Sequence, residues 1–263
     1  KPWVNIGKMR NSGIDASLEY HQPLGKDFHL TVRGNFTYAR NRIMDQDEPD
    51  YAYTYMNRSG QMQYQKFGLV AVGLFQDQED IDSWTKQSFG EVKPGDIKYL
   101  DLNGDGIVDS YDTKPIGYSD IPEIVYGFGF SLQWKAFDLS AFFQGVAHVN
   151  FSTLTDQTQA FVGRNLKESS VFADLYGNTW TPENPGAKYP RMTTGAVDNN
   201  NQLSTFWMAD GRYLRLKNLE LGYTLPKRIA NKIAMQSLRV YLSGVNLFTF
   251  SPFKLWDPDL QTG

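Results

Sequence analysis

From Ile124 onward the chain alternates. Ile124, Tyr126, Phe128, Phe130, Leu132 and Trp134 are large and apolar, while Val125, Gly127, Gly129, Ser131 and Gln133 between them are small or polar. Strict period two over this length predicts a β-strand at 123–134. A two-residue turn at Lys135-Ala136 starts a second strand at 137–148, with Phe137, Leu139, Ala141 and Phe143 on one side and Asp138, Ser140 and Gln144 on the other. Phe142 alone breaks the polar side. A soluble sheet would bury an aliphatic face and charge the other. Here a large, aromatic-ended face opposes one nearly empty of bulk. That is the pattern of a membrane β-barrel strand, with lipid on one side and a wet or plugged interior on the other.

The same pattern recurs on both sides of this hairpin. Ile14, Ala16, Leu18 and Tyr20 alternate with Asp15, Ser17, Glu19 and His21, and Phe28, Leu30, Val32, Gly34, Phe36 and Tyr38 follow after a turn signal at Pro23–Lys26. These predict strands at 11–22 and 27–41. Two more are predicted at 212–225 and 238–249. In the first of these the apolar set slips from Leu214 and Leu216 to Leu219, Leu221 and Tyr223, which predicts a β-bulge at Lys217-Asn218. The connector Lys227–Gln236 is basic, with Ile229 and Ile233 at helical spacing. Connections therefore alternate between short turns and long loops, 43–120 and 150–210. Bacterial outer-membrane barrels have short periplasmic turns and long extracellular loops, and at least eight strands. The expectation is an all-β fold, an antiparallel transmembrane β-barrel of which 1–263 is an incomplete part lacking its returning strand. No signal peptide follows Lys1, so the chain reads as an internal piece of a longer exported protein.

Composition narrows the chemistry. A net charge of −3 argues against a nucleic-acid partner, which needs a basic patch. With no cysteine there is no disulfide, thiol catalysis or thiolate metal site. No apolar run reaches the roughly 18 residues of a membrane-spanning helix, but a barrel strand needs only about 9–11. His21, His29 and His148 lack metal spacing, and the acidic pair Glu79-Asp80 has no setting that would raise a pKa. Neither a nucleophile elbow nor a phosphate-binding glycine loop is present, so no catalytic residue and no enzyme activity are expected.

One motif is sharp. Asp101–Asp112 (DLNGDGIVDSYD) places Asp101, Asn103, Asp105, Asp109 and Asp112 at positions 1, 3, 5, 9 and 12 of a calcium loop. Gly106 sits at the turn and Ile107 offers its carbonyl at position 7. Aspartate at position 12 is shorter than the usual glutamate, which points to a structural Ca²⁺ site. The competing expectations are an ion-free Asx-rich turn and a dockerin-type module. The latter carries the loop twice with a helix after it, where Pro115 and Gly117 stand here. Among loop aromatics, Tyr53, Trp84, Trp180 and Trp207 are candidates for ligand or partner contact, against the alternative of packing within the loops.

Several segments resemble the SusC/RagA class of TonB-dependent outer-membrane receptors of Bacteroidetes: GKMRNSGIDASLEY, VAVGLFQDQEDID, GDIKYLDLNGDGIVDSYD, YGFGFSLQWKAFDLSAFFQG, YLRLKNLELGYTLPKRI and LRVYLSGVNLFTFS, in the family's order. The resemblance implies the C-terminal part of a 22-stranded, plugged barrel, these six strands being numbers 16 to 21 and the closing strand absent. It also implies TonB-driven import of oligosaccharides or peptides beneath a SusD-like surface lipoprotein. Plug and TonB box, which couple energy in the family, lie outside these segments. The alternative reading is a secreted or surface β-sandwich glycan-binding module with a calcium loop.

Overall fold

In a computed structural model, residues 6–154 and 173–260 are described. Six long strands form the frame: Lys8–Leu24, Phe28–Asp45, Ile124–Trp134, Phe137–Ala147, Tyr213–Thr224 and Arg239–Phe250. They pair antiparallel in chain order within one sheet, each next to its predecessor. We call them the first to sixth wall strands.

The first two strands run further than their alternation suggests, 17 and 18 residues. Pro23, expected in the turn, sits inside the first strand opposite His29, and the turn follows at Gly25, whose φ is +80°. A proline lacks a ladder N–H, and Pro23 stands one residue from the end of the strand at Leu24, where the ladder is about to stop.

Register carries the apolar pattern across the whole sheet. One row reads Tyr20, Val32, Phe130, Ala141, Leu219, Gly244, and another reads Ala16, Phe36, Tyr126, Gly145, Leu214, Phe250. The opposite face reads Glu19, Arg33, Gly129, Phe142, Asn218, Val245. Lys217 is the extra residue between the Phe142–Asn218 and Phe143–Leu216 pairs, so a bulge absorbs the phase slip there. The apolar face is uncovered: Leu18 is 71% and Leu242 76% exposed. No helix among the described residues is long and apolar enough to cross a membrane.

Phe142 explains two glycines on the polar face. A Cβ at Gly127 would stand 2.8 Å from its ring and 2.6 Å from the Asn35 amide oxygen, and one at Gly129 would meet the ring at 2.9 Å and the Ala141 carbonyl at 2.5 Å. The ring lies in the hollow these glycines leave, and the Arg33 guanidinium stands 5.4 Å from its centroid. Gly127→Ala is expected to destabilise the wall by about 1–3 kcal/mol through overpacking. Adding Phe142→Ala should restore most of that in urea unfolding of the lipid-reconstituted receptor. The same partner should not rescue Gly129→Ala, because there the obstacle is backbone.

The short connections lie at one end of the sheet, and the long ones, 46–123 and the described parts of 148–212, at the other. Small ladders organise the long ones, including Ala71–Leu74 with Ile97–Tyr99, parallel Lys86–Gln87 with Ile107–Val108, and Asn150–Ser152 with Met208–Asp210. The acidic run after Phe75 is a helix, Gln78–Ser83, whose N-cap Asp77 accepts from Asp80 N–H at 2.8 Å.

Candidate functional site at the long-loop end

The two long loops share one core. Leu69, Leu74, Ile97, Tyr99 and Val108 come from the first, and Leu175, Trp180, Tyr189 and Trp207 from the second. Polar groups stitch them together. Leu69 N–H donates to Leu203 O and Thr205 N–H to Leu69 O, both at 2.9 Å, and Arg191 N–H donates to Gly95 O at 2.9 Å. Tyr99 donates its hydroxyl to Asn199 O at 2.9 Å, and burial pushes that phenol far up from its ordinary pKa.

Asp96 is the polar centre of this joint, with no exposed surface. It accepts from Lys93 N–H (2.8 Å), Asn200 Nδ2 (2.8 Å) and Arg191 Nη2 (3.1 Å). Arg191 Nε also stands 2.8 Å from Oδ1, but off the line of a hydrogen bond, so that approach contributes charge rather than a directed bond. Asn200 in turn accepts from Ile97 N–H at 2.8 Å, and Asn199 donates to Ile97 O at 2.7 Å. A buried carboxylate is tolerable only when paired and bonded in this way. No local spacing in the sequence marks the side chains of Asp96, Arg191, Asn199 and Asn200 as partners.

The Asp101–Asp112 segment is a closed loop. Its side chains turn to its own backbone: Asp101 accepts from Gly104 and Gly106 N–H (2.7 and 3.0 Å), Asn103 from Asp105 N–H (2.9 Å), and Asp105 from Ile107 N–H (2.9 Å). Asp109 caps the short 3₁₀ turn that follows, accepting from Tyr111 N–H at 2.7 Å. Asp112, wholly buried, accepts from Leu102, Asn103 and Asp109 N–H at 2.6, 3.2 and 2.8 Å. The donor types are the oxygens Ca²⁺ takes. The placement differs, since among the described residues no three acidic or histidine side chains stand together so as to hold an ion. As folded, the loop closes on the Asp112 carboxylate.

The four candidate aromatics divide. Trp180 and Trp207 are buried in the shared loop core, and Trp207 donates Nε1–H to Asn200 O at 2.8 Å. At 8% and 4% exposed, both take the packing alternative and not the contact role. Tyr53 is half-buried, stacked on Tyr55 at 5.3 Å and edge-on to Tyr111 at 6.3 Å. Trp84 is half-buried too. Its Nε1–H donates to Tyr99 O at 2.9 Å, and Lys98 Nζ lies 4.3 Å from its ring centroid. Lys98 also binds Asp80 at 2.6 Å. Burial lifts that carboxyl, but Lys98 and the Gln76 N–H outweigh it and hold the pKa below its ordinary value. Trp84 lines a cleft of about 590 Å³ with Gln78, Asp82 and Glu91. That size suits a small ligand.

Comparison with known proteins places this architecture. No protein-family model matches the chain. TonB-dependent receptor P3 of Formosa agariphila is 28% identical over 270 residues, covering 97% of this chain and 26% of the relative. TonB-dependent receptor SusC of Bacteroides thetaiotaomicron is 25% identical over 276 residues, covering 98% and 25%. The solved structure of the RagAB peptide transporter superposes with a TM-score of 0.70 at 22% identity, covering 97% of this chain and 27% of that one. Over nearly its whole length the chain is similar to TonB-dependent receptors of the SusC/RagA class. It spans about a quarter of the length of the curated relatives it matches. Those relatives are receptors, not enzymes, and the fold is that of a TonB-dependent receptor barrel wall.

On this receptor wall the loop unit is bolted down at one polar joint. Glu123, at the end of the first loop, accepts both Arg40 Nε–H and Nη2–H (2.6 and 2.7 Å) from the second wall strand. His148 Nδ1, at the start of the second loop, lies 3.2 Å from the same carboxylate, and its ring stacks on Tyr118 at 4.5 Å. Burial raises the Glu123 carboxyl, but Arg40 and His148 outweigh it and hold the pKa below its ordinary value. Asn150 accepts from Tyr118 N–H (2.7 Å) and donates to Ala209 O (2.9 Å), so the end of one loop and both ends of the other meet at one side chain.

Proposed function

We propose that this chain forms part of the wall and outer rim of a TonB-dependent importer in the Gram-negative outer membrane, taking up an oligosaccharide or peptide beneath a SusD-like lipoprotein. The observation that carries the reading is the pairing of an uncovered apolar face across all six strands with two long loops folded as one body at one end. The wall strands supply a fixed frame and the loops supply recognition, the usual division between scaffold and loop. A β-sandwich lectin would instead bury that apolar face.

Within the rim, the surfaces that offer contact are the Tyr53–Tyr55–Tyr111 cluster and the Trp84 cleft. Energy from TonB reaches such a wall through parts of the receptor other than these strands. Purification of the full-length receptor from outer membrane, with mass spectrometry of what accompanies it, tests the reading. A SusD-like lipoprotein and a retained oligosaccharide or peptide are expected, and the retained compound names the cargo. Recovery only in the soluble fraction would sink the proposal.

Calcium at 101–112 is a separable proposal. Each carboxylate oxygen has two lone pairs, so one N–H bond leaves room for a cation. Binding has to gather Asp101, Asp105 and Asp109 so that their free lone pairs converge on the ion. Calorimetry on the full-length receptor should register Ca²⁺ binding, in the roughly 10⁻⁴–10⁻³ M range of weak extracellular sites. Asp101→Ala/Asp105→Ala should abolish that heat. Equal heats from parent and variant would rule the site out.

A further inference from the structure

The short-turn end of the wall carries chemistry that import does not use. Lys135 N–H donates to Asp27 O, Thr224 N–H to Ala136 O and Leu225 N–H to Leu238 O, so the turns and the 225–238 connector form one rim. The connector folds as a helical turn Lys227–Ala230 followed by a 3₁₀ turn Asn231–Ile233, closed by Ala234 at φ +56°. Ala230 alone of these is fully buried. Ile229 and Ile233, four residues apart, are each half-exposed, as is Met235. An apolar stripe left open on so short an element needs an apolar neighbour.

The charges around it are one-sided. Lys227, Arg228 and Lys232 are exposed, as are Lys26 and Lys135 on the adjoining turns, and none forms an ion pair among the described residues. Asp138 and Glu220 are both held by Arg239, which leaves Asp27 as the described carboxylate of this rim without an ion-pair partner. Directly above lies the last row of the apolar face, an aromatic run in which Trp134 meets Phe137 at 6.4 Å and Phe137 meets Tyr223 at 4.6 Å. Lys135 Nζ sits 5.5 Å from the Trp134 centroid. Aromatic belts mark membrane–water interfaces, and a short segment with apolar and basic sides lies in that plane.

We propose that the Lys227–Met235 connector is an interfacial anchor that binds anionic phospholipid. Lys227, Arg228 and Lys232 meet headgroup phosphates, while Ile229, Ile233 and Met235 enter the acyl boundary. Two observations choose this occupant over a protein partner: the apolar stripe adjoins the aromatic end of the lipid-type face, and the connector's own charges, Lys227, Arg228 and Lys232, are all positive and unpaired, with Asp27 on the adjoining turn the one unpaired carboxylate among the described residues of the rim. The inference rests on the membrane-wall reading, so its test carries a separate control for that reading.

The full-length receptor would be placed in nanodiscs containing brominated phosphatidylcholine, with or without phosphatidylglycerol. Ile233→Trp reports on the connector and Leu221→Trp on the wall. Both reporters should be quenched relative to the parent, and phosphatidylglycerol should deepen quenching at position 233 only. The Lys227→Gln/Arg228→Gln/Lys232→Gln variant should cancel that gain, with preference for the anionic lipid falling roughly fivefold per cation removed. Quenching at 221 but not at 233 overturns the anchor and assigns the connector to water or a protein partner. Quenching at 233 that ignores phosphatidylglycerol overturns the headgroup contact. Absence of quenching at 221 defeats the membrane-wall reading itself.

Discussion

Asp96→Ala receptors are expected to assemble in the membrane with an intact wall and a disordered rim. Asp96 has no solvent exposure and holds Arg191, Asn200 and the Lys93 N–H at once. Removing one partner of a buried ion pair costs about 3–5 kcal/mol, because the other charge is left uncompensated. Arg191 is about a quarter exposed and can reach water, which places the cost at the lower end. A loss of about 3 kcal/mol raises the open population of the loop unit on the order of 100-fold. Limited proteolysis of the reconstituted receptor should show that increase at sites in both loops together, since their core is shared. The heat-modifiable mobility of the folded barrel should not change. Asp96→Asn keeps the shape and loses the charge, and should fall between parent and alanine variant. Cleavage that rises in the first loop while the second stays protected would mean the loops fold separately.

The second large effect concerns the wall. Phe130→Arg places a charge in the row Val32, Phe130, Ala141, Leu219, in the middle of the uncovered apolar face. Arginine on the lipid face near the bilayer midplane costs about 2–4 kcal/mol. Ser131→Arg, one residue on, points to the face of Thr31 and Ser140, where a charge stays hydrated. Reconstitution into liposomes should therefore fail or slow markedly for Phe130→Arg and proceed for Ser131→Arg. Equal behaviour of the two would contradict the assignment of faces.

The wall was legible because period two is a local signal. The same is true of the bulge, since a phase slip between Leu216 and Leu219 has one local cause. Pro23 was misplaced because a proline in a turn and a proline at the last rungs of a strand look alike until the pairing with His29 is known. The rim was illegible for a different reason. Its core joins segments about a hundred residues apart, and Asp96 meets Asn200 across a separation of 104. No spacing rule reaches that far, so the sequence left Trp180 and Trp207 open between contact and packing, and the fold buries both. The calcium-type spacing was visible in one stretch, but not the three backbone N–H groups that Asp112 gathers, which depend on how the loop folds back on itself. Asp77, standing before Gln78 and Glu79, did carry an N-cap signal for the helix that follows.

The central claim is that one face of this sheet meets lipid and the other does not. Spin labels introduced singly from Tyr126 to Gln133 in the membrane-reconstituted full-length receptor test it most directly, by collision with oxygen and with a water-soluble nickel complex. Oxygen accessibility should peak at Tyr126, Phe128, Phe130 and Leu132 and fall at Gly127, Gly129, Ser131 and Gln133, with nickel in antiphase. A flat profile, or the opposite phase, would contradict it.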